Sequence, residues 1–328
     1  MHLTGFVFKR TAQLILISLL AALATFWLSS LIPGDFFSTH LLDPSIQKET
    51  VEQLRHKYGL EQPFYIQFAR WLKNLLHLDL GYSLFYQRPV IPVVVDAITK
   101  TLWIGIPAII LGFGLGIVIG TVHAISGRRL ARMLDIVSTT ALSLPSLLLG
   151  LAALLFAAQT QWFPLGSMNS PMSQDAAFWR WAADRIHHLC LPVACLTIPV
   201  LAYVERIQYA ATQGSLRELY VRSARARGLG SPRVFFSYIL KPGLNPVLSI
   251  AGPMLGGILS GSLVLEVIFA WPGLGQITYD ALFNSDLFLL AGCVMGSSLL
   301  LVIGNLIADV ALMSLDPRTR SSLRKGAR

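Results

Sequence analysis

Long apolar runs separated by short polar segments dominate the chain. A helix needs about 20 consecutive apolar residues to cross a bilayer, and six stretches reach or approach that length. They are Thr11–Ile32, Thr101–Val122, Ile136–Ala157, His187–Val204, Val247–Ala270 and Leu287–Ala308. The pattern predicts an all-α integral membrane protein with six transmembrane helices. The fourth run is the weakest, because two histidines open it and Pro192 and Pro199 interrupt it. Prolines are tolerated in such a span when neighbouring helices satisfy the freed carbonyls.

Composition and charge agree with this prediction. The 328 residues are 54% hydrophobic and 13% charged, about half the charged share of a soluble domain. The net charge of +9 would suit a nucleic-acid groove, but most basic residues lie in alternate connecting segments. Because Lys and Arg in short loops set orientation, we expect both termini in the cytoplasm and no nucleic-acid partner. The first run stays uncharged to Ile32, too long for a signal-peptide core.

The connecting segments divide the chain unevenly. We predict a cytoplasmic end with the first span (1–33), an extracytoplasmic insertion (34–97), a five-helix core (98–315) with a cytoplasmic loop (210–246), and a basic cytoplasmic tail (316–328). Two helices are expected in the insertion. The first is capped by Asp43 or Ser45, ends at Gly59 and has a stripe of Val51, Leu54 and Tyr58. The second has a packing stripe of Phe64, Phe68, Trp71, Leu72 and Leu75.

Glycines recur at every fourth position in two spans. The rows are Gly112, Gly116 and Gly120 in the second span, with Gly252/Gly256 and Gly257/Gly261 in the fifth. Small residues at this spacing let helices approach closely in lipid. The rows therefore indicate helix packing within the subunit, with a sliding gate as the alternative.

Candidate chemistry is sparse. No GxxxxGK[ST] phosphate loop, HExxH or intramembrane carboxylate pair occurs in the sequence, so an enzyme is not expected. His187, His188 and Cys190 come nearest to a metal cluster, but Cys195 follows Cys190 by five residues and lies off that helix face, so no metal site is predicted. Together with Cys195 and Cys293, Cys190 is interpreted as a small buried hydrophobe.

Glu266 is the one acidic or basic residue inside a predicted span. An intramembrane charge favours a functional role, but its place near the outer interface also allows a hydrated, hydrogen-bonded structural role. The mid-membrane charges and broken-helix repeats of a gradient-driven transporter are missing. Any transport is therefore expected to draw its energy from another chain.

The most basic loop contains "YVRSARARGLGSPR", residues 220–233. This stretch predicts a short helix that Gly228 and Gly230 end and that Pro232 prevents from resuming. The predicted apolar face is Leu216, Leu219, Tyr220 and Ala224. The small side chains are Ser223, Ala224 and Ala226. They would let a partner approach closely, while the arginines pair with partner acids; a loop that merely fixes orientation is the alternative.

This loop resembles the cytoplasmic "EAA" loop in permease subunits of bacterial binding-protein-dependent ABC importers, in the oligopeptide, dipeptide and nickel branch. That branch reads close to Tyr-Ile-Arg-Thr-Ala-Arg-Ala-Lys-Gly-Leu, which Tyr220–Leu229 matches, with Gly228 four residues after Ala224. Two departures are Arg222, where many importers have glutamate, and "LKP" at Leu240–Pro242.

Further similar pieces follow in the family's order: "IPGDFF" after span one, "FAWPGLGQ" after span five and "LDPRTR" near the C-terminus. The outer Gly-Thr-Asp segment of the second permease type is absent from the sequence, so the chain resembles the first type. The resemblance implies a type I importer permease (MetI-like) fold in the bacterial cytoplasmic membrane. It also implies a non-catalytic transmembrane subunit that forms half of the pathway for peptides or a similar small solute.

Partners and site residues are likewise implied by the resemblance. The partners are a second homologous permease, two ATPase subunits that hold ATP and Mg²⁺, an extracytoplasmic substrate-binding protein and the lipid bilayer; this chain itself would bind no cofactor. The ATPase-coupling helix comprises Leu216, Leu219, Tyr220, Arg222, Ser223, Ala224, Arg225, Ala226, Arg227, Gly228 and Leu229. The outer loop for the binding protein comprises Trp271, Pro272, Gly273, Leu274 and Gly275.

The solute stays open among oligopeptide, dipeptide, nickel chelate, sugar oligomer and antimicrobial peptide, and the residues lining the pathway are unassigned. Two other classes of protein also fit the residues: a secondary transporter that works alone, and a membrane scaffold that transports nothing.

Overall fold

The computed structural model describes residues 3–32, 34–40, 52–53, 55–56, 58–170 and 177–315. The helices are α1 (Leu3–Ser29), α2 (Phe36–His40), α3 (Phe64–Leu75), α4 (Val90–Ile125), α5 (Arg128–Ser143), α6 (Ser146–Thr160), α7 (Phe178–Arg217), α8 (Leu219–Ala226), α9 (Ser231–Val234), a π-helical segment (Phe235–Leu240), α10 (Lys241–Gly243), α11 (Asn245–Ile268), α12 (Leu274–Phe283) and α13 (Leu287–Leu315). Strands β1 (Tyr82–Ser83) and β2 (Arg88–Pro89) pair antiparallel in a hairpin that the sequence did not predict.

Helices cover all six predicted spans. Among the described residues, five helical segments are long and apolar enough to cross a membrane, and the bent pair α5–α6 would make a sixth. The five are Thr11–Ser29, Val90–Ile125, Phe178–Arg217, Ser231–Gly252 and Leu287–Ile307. The predicted all-α membrane class is confirmed.

The third predicted span, Ile136–Ala157, is wrong as a single helix. The chain bends by 99° between α5 and α6. Leu144 takes an extended conformation with ψ 119°, as expected before Pro145, because proline excludes the helical conformation from the residue that precedes it. Pro145 then becomes the N-cap of α6.

The fourth span, which the sequence made the weakest, is the longest helix. α7 runs unbroken for 40 residues with Pro192 and Pro199 inside it. At about 1.5 Å per residue it is about 60 Å long, twice the hydrocarbon thickness of a bilayer. The prolines therefore interrupt the apolar run without breaking the helix, although they remove donors from the helix ladder.

The glycine row of the second span packs α4 against α7. A β-carbon on Gly112 would lie 2.5 Å from Val200 Cγ1, one on Gly116 would lie 2.8 Å from Val204, and one on Gly120 would lie 2.5 Å from the Glu205 carbonyl oxygen. No side chain fits at these distances, so packing within the subunit is confirmed for this row. In the fifth span, Gly257 and Gly261 lie outside the residues whose side-chain packing the structure describes.

Two compact units divide the chain, residues 1–101 with 271–302 and residues 102–270 with 303–328. In the first unit, α3 packs on α1: the Phe26 ring lies 5.7 Å from those of both Phe68 and Trp71. The predicted packing stripe of α3 is thus confirmed.

The first predicted helix of the insertion is described only in part. Gly59 ends it with φ 69°, as predicted, and the N–H of Leu60 donates to the Arg55 carbonyl. The proposed caps at Asp43 and Ser45, together with Val51 and Leu54, lie outside the described residues.

Acidic side chains of the first unit hold the β1–β2 hairpin. Ser83 Oγ donates to Asp286 at 2.8 Å, and the N–H of Phe85 donates to the same carboxylate at 3.1 Å. The Tyr86 hydroxyl donates to Asp280 at 2.7 Å. Burial, followed by this hydrogen bond, raises the pKa of Tyr86. The hairpin is therefore a fixed part of the first unit.

Candidate coupling segment

A single residue separates the long helix α7 from the short helix α8. Glu218 is extended (φ −67°, ψ 143°) and serves both as the C-cap of α7 and as the N-cap of α8. Its carbonyl accepts the N–H of Val221 at 3.2 Å. α8 is thus a separate helix that starts in a new direction. The predicted short helix is present, except that Leu216 belongs to α7.

The buried face of α8 differs from the predicted one. Val221 and Ala224 are 1% and 0% exposed. They form a cluster with Val234 and Ile239 from the returning chain, and Leu216, Leu229, Phe235 and Tyr238 pack around it. Leu219 and Tyr220, predicted to share the apolar face, are 75% and 40% exposed. Ala224 is therefore small because its own chain covers it, which corrects its predicted contact with a partner.

The opposite side of α8 is free and basic. Its exposed residues are Leu219, Tyr220, Arg222, Ser223, Arg225 and Ala226, and Arg227 and Gly228 follow them. In the described part of the chain, no ion pair involves the arginines of this surface. Unpaired guanidinium groups beside two exposed apolar side chains suit a partner that offers carboxylates and an apolar pocket.

Gly228 ends α8 as predicted. It has φ 75°, its N–H donates to Arg225, and the N–H of Leu229 donates to Ala224. These two bonds form a Schellman motif, which needs a left-handed residue at the glycine position. The predicted effect of Pro232 is wrong, because α9 starts at Ser231 with the proline in its first turn. Proline lacks a backbone N–H, but this costs nothing in the first turn of a helix, since the N–H groups of that turn have no partner within the helix.

The chain that returns over α8 contains an element that the sequence did not reveal. Phe235–Leu240 is π-helical, a rare conformation that is frequent at functional sites. It supplies Ile239 to the buried cluster, while Phe236 is 61% exposed beside it. The returning chain thus packs against the buried side of α8 and fixes the position of this short helix.

Polar contacts fix α7, which carries α8, to its neighbours. Arg206 pairs with Asp135 of α5, and Gln213 Nε2 donates to the Ala124 carbonyl of α4 at 2.7 Å. Glu205, fully buried, contacts His123 of α4. Sequence reasoning missed Glu205 because the predicted span stopped one residue earlier. An acid directly beside an apolar run was the signal that could have revealed it.

The segment expected to meet a binding protein is mostly inside the first unit. Trp271 is 0% exposed, and its Nε1–H donates to the Lys100 carbonyl at 2.8 Å. The N–H of Leu274 donates to Thr101 Oγ1 at 2.7 Å. Gly273 and Gly275 are also buried, and only Pro272 is half-buried. An exposed contact role for these residues is therefore wrong. Exposed side chains nearby are Tyr279, Leu282 and Phe283 of α12.

Glu266 is fully buried rather than hydrated. It accepts a hydrogen bond from Ser262 Oγ at 2.8 Å, which favours the structural role and corrects the expected hydration. Burial is confirmed for Cys195 and Cys293, whereas Cys190 is exposed, contrary to prediction.

The two adjacent histidines of α7 lie beside backbone carbonyls. His187 Nε2 lies 2.6 Å from the Trp162 oxygen and His188 Nδ1 lies 2.8 Å from that of Asp184. These contacts give both rings a role in holding the surrounding backbone.

Comparison with known proteins adds two kinds of match. A family model described as "Binding-protein-dependent transport system inner membrane component" matches residues 112–321, and its N-terminal counterpart matches residues 3–105. The oligopeptide transport system permease protein AppB of Bacillus subtilis (strain 168) is 32% identical over 96% of this chain and 99% of its own length. The glutathione transport system permease protein GsiC of Salmonella paratyphi A is 29% identical over 96% of this chain and 99% of its own length.

Proposed function

The chain belongs to the family of binding-protein-dependent transport system inner membrane components, and we propose that it forms half of a translocation pathway for peptides. As a transmembrane subunit of an ABC importer it is a multi-pass inner-membrane protein. A peptide solute is supported by relatives named for oligopeptide and glutathione transport that share nearly the whole length of the chain. The other half of the pathway is a second, homologous permease.

The observation that carries the coupling role is the free basic face of α8. Buried Val221 and Ala224 fix the helix from behind, so a force applied to its exposed side moves α8 as one body. We place this helix in a groove of an ATPase subunit, one of two in the complex. Those subunits bind ATP and Mg²⁺, this chain performs no catalysis, and both of its termini face the same compartment as the ATPases.

Charge reversal on the exposed face tests this role. In the complete importer in proteoliposomes, Arg222→Glu should abolish peptide uptake and the stimulation of ATP hydrolysis by the binding protein, while the subunit remains inserted. Arg180→Glu, which reverses one exposed arginine elsewhere, is the matched control. Unchanged uptake in the Arg222 variant would refute docking through α8. Gradient-driven uptake by this chain alone, without ATP, would replace the importer role with a secondary transporter.

We place the binding-protein contact on the exposed side of α12 and on the insertion. The rings of Tyr279 and Phe283 pack at 4.4 Å between centroids with a tilt of 35°, and Phe283 is 67% exposed. A Phe283→Glu variant should weaken docking of the binding protein, measured by its retention on immobilised complex. Deletion of Ser45–Tyr58 tests the insertion separately; full retention in either variant removes that surface from the contact.

A further inference from the structure

Helix α5 has a face that the described residues leave uncovered. Its buried side is centred on Ser138 and packs against α7. A second side is apolar and open to solvent: Leu130, Met133, Ile136 and Val137 are 46%, 64%, 61% and 63% exposed. At 100° per residue these four side chains span an arc of about 120°. In α8, by contrast, the returning chain closes the apolar side.

Three unpaired arginines lie in the first two turns of α5: Arg129 lies within the arc, Arg132 lies about 40° beyond its edge and Arg128 lies about 80° beyond that edge. Arg128, Arg129 and Arg132 are exposed, and no ion pair among the described residues involves them. Positive charge in the first turn opposes the helix dipole, so the arginines do not stabilise α5 itself. The helix's one acid, Asp135, already pairs with Arg206. The surface therefore offers apolar area beside uncompensated positive charge, which complements an anionic amphiphile.

The direction of α5 also fits a membrane surface. α5 makes an angle of 99° with α6, so α5 lies roughly in the membrane plane when α6 crosses the bilayer. The 15 residues of α6 span about 22 Å, about 8 Å less than the hydrocarbon core. Interfacial helices sink about 5–10 Å into the boundary between headgroups and acyl chains. An α5 at that depth makes up the missing thickness.

We propose that α5 is an interfacial helix that binds anionic phospholipid. The arc from Leu130 to Val137 contacts acyl chains, and the three arginines contact headgroup phosphates. This inference does not depend on coupling through α8, since a membrane protein of any transport class could carry such a helix.

Membrane depth along α5 is the first test. In the full-length Cys190→Ser chain in nanodiscs containing phosphatidylglycerol, spin labels are placed at Met133→Cys on the apolar arc and at Thr139→Cys on the charged side. The Met133 label should be accessible to oxygen and shielded from a water-soluble nickel reagent, and the Thr139 label should show the opposite. Equal accessibility at both positions overturns the proposal. So does loss of oxygen access at Met133 once the second permease is added, because a protein partner then covers the arc.

Lipid charge is the second test. Native mass spectrometry of the full-length chain in an equal mixture of phosphatidylglycerol and phosphatidylcholine should show preferential retention of phosphatidylglycerol. Each of Arg128→Gln, Arg129→Gln and Arg132→Gln should lower that preference about fivefold, and the variant that carries all three changes should lower it further. Triple glutamine substitution of Arg222, Arg225 and Arg227 removes the same charge and should leave the preference intact. An equal loss in both triple variants would mean that net charge alone retains the lipid, and the proposal would fail.

Discussion

His123 Nδ1 lies 2.5 Å from Glu205 Oε1, and the two side chains are 2% and 0% exposed. The His123 ring also stacks on Tyr209 at 4.0 Å between centroids. Glu205 Oε2 has no hydrogen-bond partner among the described residues. Because the pair joins α4 to the helix that carries α8, it fixes the position from which α8 projects.

Removing one member of this pair should destabilise the protein more than removing both. We expect His123→Leu or Glu205→Leu alone to cost about 3–5 kcal/mol, because the remaining polar group stays buried without its partner. The double variant should cost less than either single variant, because no polar group is then left buried without a partner. Thermal unfolding in detergent, analysed as a double-mutant cycle, measures the coupling. Exposed Glu218→Gln is the control, and strictly additive effects would show that the pair does not interact.

Two neighbouring glycines should respond differently to the same substitution. Gly228→Val forces a branched side chain into φ 75° and should destabilise the end of α8 by about 1–2 kcal/mol. Gly230 has φ −61°, so Gly230→Val should be tolerated. Amide hydrogen exchange over residues 219–229 measures the effect, and uptake by the complete importer should fall only in the Gly228 variant. Identical exchange in both variants would exclude backbone strain at Gly228.

The contribution of Asp35 to stability should disappear in acid. Burial alone would raise the pKa of Asp35, but hydrogen bonds from Arg55 and Ser38 and the Arg55 charge hold this pKa below the ordinary 3.8. The stabilisation is therefore complete above pH 3.8 and is lost as the pH falls through the lower folded value. Unfolding midpoints of wild type and Asp35→Asn should differ above pH 3.8 and converge below it.

Asp96→Asn is the matched control for that pH series, because Asp96 pairs with Lys100 while 65% exposed and such pairs add little stability. A constant gap between wild type and Asp35→Asn down to the most acidic conditions would contradict the role of the Asp35 carboxylate.

Trp271 should matter for stability. We expect Trp271→Ala to cost about 3–5 kcal/mol, because it empties a site in the interior of the first unit and leaves the Lys100 carbonyl without its donor. Trp179→Ala removes an 80% exposed ring and should change the unfolding midpoint little. If the Trp271 variant kept wild-type stability yet lost the binding protein, the original contact role would be restored.

Hydropathy was sufficient for the membrane class and for a helix at each of the six predicted runs, because bilayer thickness imposes a length on each apolar run. Hydropathy did not predict how prolines affect the helices, because that depends on how each helix packs against its neighbours. Pro192 and Pro199 made the fourth run the weakest of the six, yet α7 continues through them against α4 and is the longest helix. Pro145 received no weight, yet it produces the sharp bend before α6.

The candidate site shows the same limit. The sequence located α8 and its stop at Gly228, since backbone conformation at a helix end is a local property. It did not reveal which side of α8 is exposed, because that depends on where residues 234–239 return. Burial of Trp271 was likewise hidden, since an aromatic residue in a short loop between two helices has the same pattern whether it faces inward or outward.

The length of α7 has a mechanical consequence. A rod of about 60 Å that tilts about its midpoint moves each tip by about 0.5 Å per degree. Pro192 and Pro199 lie near that midpoint, where missing ladder bonds soften the helix. A force on the end at Arg217 is therefore absorbed by bending near these two prolines, so the half of α7 that carries α8 can tilt while the half that begins at Phe178 stays in place.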